Sequence, residues 1–255
     1  MNFELLKTLC LLNGTSGDEK NVRDYIISNL PENCDYTVDP IGNLIVNKKG
    51  GKEPENKVAL FAHMDEVGFI VTYITDDGFV YVANVGGIDN SALFGKKITV
   101  NGHIGVVGGK AIHQCSKDEA KKIPDLSDMC VDFGFENKEI AENYLSLGDF
   151  GYFVSDFVEF GNDMIKSKAL DDRLGCAVML ELLQEKSKIN YTCVFSVQEE
   201  IGTRGATASA YTVNPDYAIV IETTTASDIP DTPENKKVCK VGRGAVVSFM
   251  DRGTI

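Results

Sequence analysis

Tryptophan is absent from the 255 residues, histidine occurs only three times, and 25 basic side chains face 38 acidic ones. Each shortage excludes something. A formal net charge of −13 argues against a nucleic-acid or anionic-membrane partner, because both demand a basic face. With no tryptophan and an aromatic share of 9%, the chain offers no obvious stacking platform for sugars. No apolar run reaches the roughly 18 residues that a membrane-spanning helix needs. The seven cysteines, at 10, 34, 115, 130, 176, 193 and 239, form no C-x-x-C pair, which argues against a redox motif or a zinc knuckle. They read as reduced, buried thiols of a cytoplasmic protein. The apolar patch at 9–12 comes after Glu4 and precedes no small-residue cleavage site, so it does not read as a signal peptide.

What is present is ordinary globular material, 43% hydrophobic and 25% charged, enough for one to two domains. A chain of this length buries about 70–75% of the surface its unfolded form exposes, so it needs no disulfide staples. Ser16, Gly17, Asp18 and Glu19 read as a capping box ahead of a helix over 22–30 that Pro31 closes. Short β runs at 36–38 and 44–47 turn at Pro40 and Gly42, and 57–62 has the apolar texture of a buried strand. Between 67 and 166 hairpin signals recur, at Asp77-Gly78, Asn101-Gly102 and the Gly161, Asn162, Asp163 turn, with one helix from about Asn137. After that the pattern alternates: a helix over 170–183, a strand over 191–197, a helix over 203–210 and a buried strand over 217–221. Strands alternating with helices predict an α/β fold, a mixed sheet flanked by helices and interrupted by an inserted β-rich domain. The expected division is a discontinuous catalytic domain, 1–66 with 167–255, around an insertion at 67–166.

The informative residues stand at the ends of the apolar runs. The run 58–62 ends in His63, Met64, Asp65 and Glu66; 193–197 ends in Gln198, Glu199 and Glu200; 218–221 ends in Glu222. Ligands of open α/β sheets bind outside the carboxyl ends of strands, so these three ends should converge. Asp171 and Asp172, at the start of the 170–183 helix, supply a fourth group. One at a time each has a bland explanation, as a cap, a solvated pair or a hydrogen-bonded imidazole. Together they fit a two-metal hydrolytic site, in which a carboxylate can bridge ions about 3.5–4 Å apart. Asp65, two residues after His63, is placed to accept the other ring N–H and fix the tautomer. Of the adjacent Glu199 and Glu200, one can hold a metal while the other acts as a base.

The segments AHMDEVGFIV, SKALDDRLGC, VQEEIGTRGA and IETTTASDIPDTP closely resemble the tetrahedral and glutamyl aminopeptidase family of dinuclear metallopeptidases, some members of which carry an older cellulase or endoglucanase label. The resemblance runs from GTSGDEKNVRDYI to VGRGAVVSFMDRG. It implies that His63 binds one ion, Asp171 bridges both, Glu200 binds the other and Glu222 completes the His63 site. Glu199 would be the general base and Asp65 the orienter of His63. The ions would be divalent, zinc foremost with cobalt or manganese as options, and the substrates peptides. The insertion resembles a PDZ-like dimerisation domain, implying a homo-oligomer. A further histidine ligand of the family falls beyond Ile255, where this sequence stops, and His103 and His113, both within 67–166, are expected to have a structural or oligomer-contact role. Three other readings remain open: a truncated or inactive relative serving as a binding or assembly protein, a related carboxypeptidase or deacylase, and an endo-1,4-β-glucanase.

Overall fold

The computed structural model describes residues 2–237 and 239–248. The end of the VGRGAVVSFMDRG segment, from Phe249, lies outside the described residues. Met1–Glu222 forms one compact unit and Thr223–Ile255 a second.

Helix α1 (Phe3–Leu11) starts where the Asn2 side chain accepts the amides of Glu4 and Leu5, and it buries Leu6, Leu9 and Cys10. Of the apolar patch at 9–12, Leu9 and Cys10 are thus on the inner face of a helix, while Leu11 is exposed and Leu12 is its C-cap. Helix α2 (Lys20–Ser28) buries Val22 and Ile26. Strands β1 (Cys34–Val38), β2 (Leu44–Lys48) and β3 (Val58–His63) come next. Six further strands close a barrel: β4 (Gly68–Ile74), β5 (Val80–Val85), β6 (Lys97–Val100), β7 (His103–Gly109), β8 (Met129–Asp132) and β9 (Phe150–Phe153). Their order is β4-β5-β8-β7-β6-β9, with every pairing antiparallel. Asn101 and Gly102 both take positive φ between β6 and β7, the backbone that an Asn-Gly hairpin turn requires. The short helix α3 (Lys138–Glu142) sits between β8 and β9, starting where the sequence predicts, with the Asn137 side chain accepting the Ile140 amide.

A hairpin of β10 (Val158–Phe160) and β11 (Met164–Lys166) leads to helix α4 (Leu170–Gln184). Strand β12 (Tyr191–Ser196), helix α5 (Arg204–Val213) and strand β13 (Tyr217–Val220) complete the unit. The main sheet runs β1-β2-β12-β3-β13, with β3 parallel to both β12 and β13 and the β1–β2 and β2–β12 pairs antiparallel. Alternation along its strands fills two layers. Leu44, Val46, Cys193 and Phe195 pack on one face with Leu6, Leu9, Ile26, Met179 and Leu180 of the first, second and fourth helices. On the other face Ile45, Ala59, Phe61 and Val194 meet Val213 of α5. The barrel has its own core around Phe69, Ile74, Leu93, Ile98 and Val131, with Phe69 and Phe153 edge to face at 4.9 Å. The expected class, a mixed α/β sheet flanked by helices with an added β-rich barrel, is what the chain forms.

Three expectations need correction. The capping box at 16–19 does not cap: α2 begins at Lys20, its flanking Glu19 makes no side-chain cap bond, and Ser16 and Glu19 turn inward to other partners. The 217–221 run is no buried strand, since Tyr217, Ile219 and Val220 are 61%, 53% and 67% exposed at the margin of the sheet. Of the seven thiols, all unpaired, only Cys10, Cys176 and Cys193 are buried.

Candidate metal centre

Parallel pairing brings the three strand ends together. Ser196 lies opposite His63, and the amide of Ile221 donates to the Phe61 carbonyl, so Glu222 emerges beside His63. The fourth contributor arrives from helix α4. Helical geometry there is interrupted at Asp171 and Asp172, which take φ/ψ of −81°/107° and −120°/42°, so the regular turns start after the acidic pair. That break frees both carboxyls to face the strand ends.

His63, fully buried, is the hub. Its Nε2 lies 3.1 Å from Asp171 Oδ1, 3.7 Å from Glu222 Oε2 and 4.0 Å from Glu199 Oε2. Its Nδ1 faces the backbone carbonyl of Asp65 at 3.1 Å and that residue's carboxylate at 3.4 Å. Two sets of donor atoms each gather within 4.8 Å: His63, Asp172 and Glu222, and His63, Glu199 and Glu200. Asp65 is the keystone behind them. Its Oδ1 accepts the Glu199 amide (3.0 Å), and its Oδ2 accepts the Glu200 amide (3.1 Å) and the Ser16 hydroxyl (2.5 Å).

This crowding sets the electrostatics. Burial alone would depress the His63 imidazole, but hydrogen bonds to Asp171 and Asp65 and the charges of Asp65 and Glu222 push it up to about 11. Burial, aided by the charge of Glu222, raises the Asp172 carboxyl to about 8. Burial also lifts Glu200 to about 7, with Asp171 and Glu199 adding to it against the opposing pull of His63. Asp65 goes the other way: its burial is outweighed by the His63 and Ser16 bonds, which hold it below the usual carboxylate range. So many acids around one imidazole call for additional positive charge. Asp172 Oδ2, buried and without a hydrogen-bond partner, makes the same demand. One imidazole with several carboxylates is a donor set suited to zinc, cobalt or manganese, so the residues present fit a metal centre.

The candidate site residues of the sequence therefore meet in one place, His63, Asp65, Asp171, Glu199, Glu200 and Glu222, while Glu66 at the same strand end turns to Lys168. Asp172, read only as a neighbour of Asp171, proves to be the buried member of that pair. His103 lies tilted against the rings of Tyr144 and Phe135 in the barrel, with centroids 4.7 and 5.8 Å away. Sequence reasoning passed over the support of the 63–66 segment. Arg173, fully buried, donates from Nε to the Met64 carbonyl (2.7 Å), and Lys168 pairs with Glu66 at 2.6 Å. Lys168 lies shortly before the acidic pair and Arg173 directly after it, and a cation leading into an apolar helical stretch was the available signal.

With this geometry in place, comparison with known proteins is decisive: a family model described as M42 glutamyl aminopeptidase matches residues 42–255. The chain belongs to that family. It is a metalloaminopeptidase, a hydrolase. The glutamyl aminopeptidase of Lactococcus lactis is 33% identical over 99% of this chain and 74% of its own length. An aminopeptidase structure from the archaeon Desulfurococcus kamchatkensis superposes with a TM-score of 0.87 at 35% identity, over 94% of this chain and 68% of that one. The Pyrococcus horikoshii TET1 peptidase, described as able to assemble into a tetrahedron or a large octahedral shell, gives 0.79 at 33% identity over 89% and 72%. No helix among the described residues is long and apolar enough to cross a membrane.

Proposed function

We propose that the chain removes N-terminal residues from peptides at a dinuclear metal centre. The observation that carries this reading is the convergence on His63 Nε2 of Asp171, Glu199 and Glu222 within 4.0 Å. His63 and Glu222 would hold one ion, Glu200 the other, and Asp171, whose Oδ1 already touches the imidazole, would be shared. Such ions, when bound, would polarise the scissile carbonyl and make a water acidic. Glu199 would take the proton of that water and pass it to the leaving amine, since it stands at the pocket beside Glu200 with its amide fixed by Asp65. Asp65 would hold the His63 ring through Nδ1, keeping Nε2 free to bind metal. The free α-amino group of a peptide is a cation, and surplus carboxylates suit it.

The domain reading is proposed in the same way: 1–66 with 167–255 as the catalytic part and the barrel-bearing 67–166 as the dimerisation part of a cytoplasmic homo-oligomer. Its support is the barrel's separate core and the shell-forming P. horikoshii relative. Glycoside hydrolysis is the weaker reading. Two carboxylates about 5–9.5 Å apart would serve it, leaving the His63 cluster without a role.

The test combines metal and turnover. Glu199→Gln should retain zinc binding while lowering peptide hydrolysis by at least about 10²–10⁴-fold. His63→Ala should instead lower zinc content, read by elemental analysis. A Glu199→Gln protein with most of its activity would remove Glu199 as the base, and an unmodified chain that takes up no zinc, cobalt or manganese would remove the metal centre.

A further inference from the structure

The turn at 15–18 lies directly against the site. The Asp18 amide donates to the Thr15 carbonyl at 2.7 Å, closing a four-residue turn with Gly17 third at φ +96°, a position where type II geometry asks for glycine. The turn is zipped to the 63–66 segment. Glu66 donates its amide to the Gly14 carbonyl (2.9 Å), and its own carbonyl accepts from the Ser16 amide (3.3 Å). Ser16, buried, then directs its hydroxyl at Asp65 Oδ2 at 2.5 Å. Asp65 has one oxygen on His63 and the Glu199 amide and the other on the Glu200 amide and Ser16. The rotation of this single carboxylate therefore sets the imidazole and both glutamates together.

We propose that Ser16 is a positioning residue of the metal centre, fixing the plane of Asp65 and through it the aim of His63, Glu199 and Glu200. The proposal rests on the metal-centre reading above. A hydroxyl donor facing a buried carboxylate leaves less freedom than two amides alone, because the amides come from the adjacent residues of one loop and can move with it. Ser16 approaches from a different chain segment. That segment is also tied to the barrel, where Thr15 donates to the Gly151 carbonyl at 3.2 Å and Asp18 accepts the Tyr152 hydroxyl.

The experiment is metal titration of the metal-free chain, with zinc in competition with a chromophoric chelator and with cobalt(II) tracked by its visible absorption. Ser16→Ala should weaken zinc binding by about 10–100-fold, the range seen when a ligand's supporting partner is lost. It should also shift the cobalt bands, while the metal-free chain, short of one hydrogen bond to a buried carboxylate, still folds and melts only a few degrees earlier. Three results would overturn the proposal. Equal affinity with an unchanged cobalt spectrum would mean that Asp65 needs no hydroxyl. A Ser16→Ala chain that fails to fold without metal would make Ser16 a structural residue. An unsubstituted chain that binds neither metal would remove the metal-centre reading itself, and this proposal with it.

Discussion

At the scale of single residues, the site trades stability for charge. Asp172 and Glu200 stand above ordinary carboxyl values, at about 8 and about 7, so in the metal-free chain they keep their protons when folded. A raised carboxyl contributes stability that is whole below about pH 4 and drains away as pH rises through the folded value. His63, raised from 6.5 to about 11, works in the same sense, its contribution whole below about pH 6.5 and draining away from there up to about 11, and Asp65, lowered, works in the opposite one. The metal-free chain should therefore melt at a lower temperature at about pH 8 than at about pH 5. Saturating zinc should reverse the order, because ligands bind metal in their deprotonated form. Calorimetry at the two pH values, with and without zinc, reads this directly, and a flat metal-free profile would contradict it.

At the scale of elements, close approach decides what the sequence can vary. Gly205 opens α5 against the end of β12, and a methyl group there would lie 2.2 Å from the Val197 carbonyl oxygen and 2.4 Å from Asn43 Oδ1. Asn43, fully buried, accepts the Val197 amide and donates to the Gly205 carbonyl, so nothing in that corner can yield. Gly205→Ala should cost about 1–3 kcal/mol in urea unfolding and disturb the neighbouring 198–200 loop. Much of this level was legible beforehand. The strand ends, the Asn-Gly hairpin and the helix start near Asn137 come from local pattern, and the candidate ligands come largely from where strands stop. Ser16 and Glu19 were not legible, because a cap and an inward-facing site residue share one motif and only tertiary contact separates them. The exposure of β13 was hidden too: four apolar residues in a row read as interior, whereas burial depends on what lies on the strand's second side.

At the scale of the whole molecule, the barrel and the sheet have separate hydrophobic interiors yet belong to one compact unit, Met1–Glu222, joined in part through the turn at 15–18. Light scattering on the purified chain should give a mass larger than one copy if the barrel mediates self-association, and a monomer at micromolar concentration would count against that role. The margin of the main sheet bears on the same measurement. Strand β13 is bonded to β3 along one side, and among the described residues no further strand joins the other. Tyr217, Ile219 and Val220 are exposed there, so Ile219→Lys separates the two routes in that experiment: association that survives the substitution belongs to the barrel, and association that it abolishes belongs to this margin.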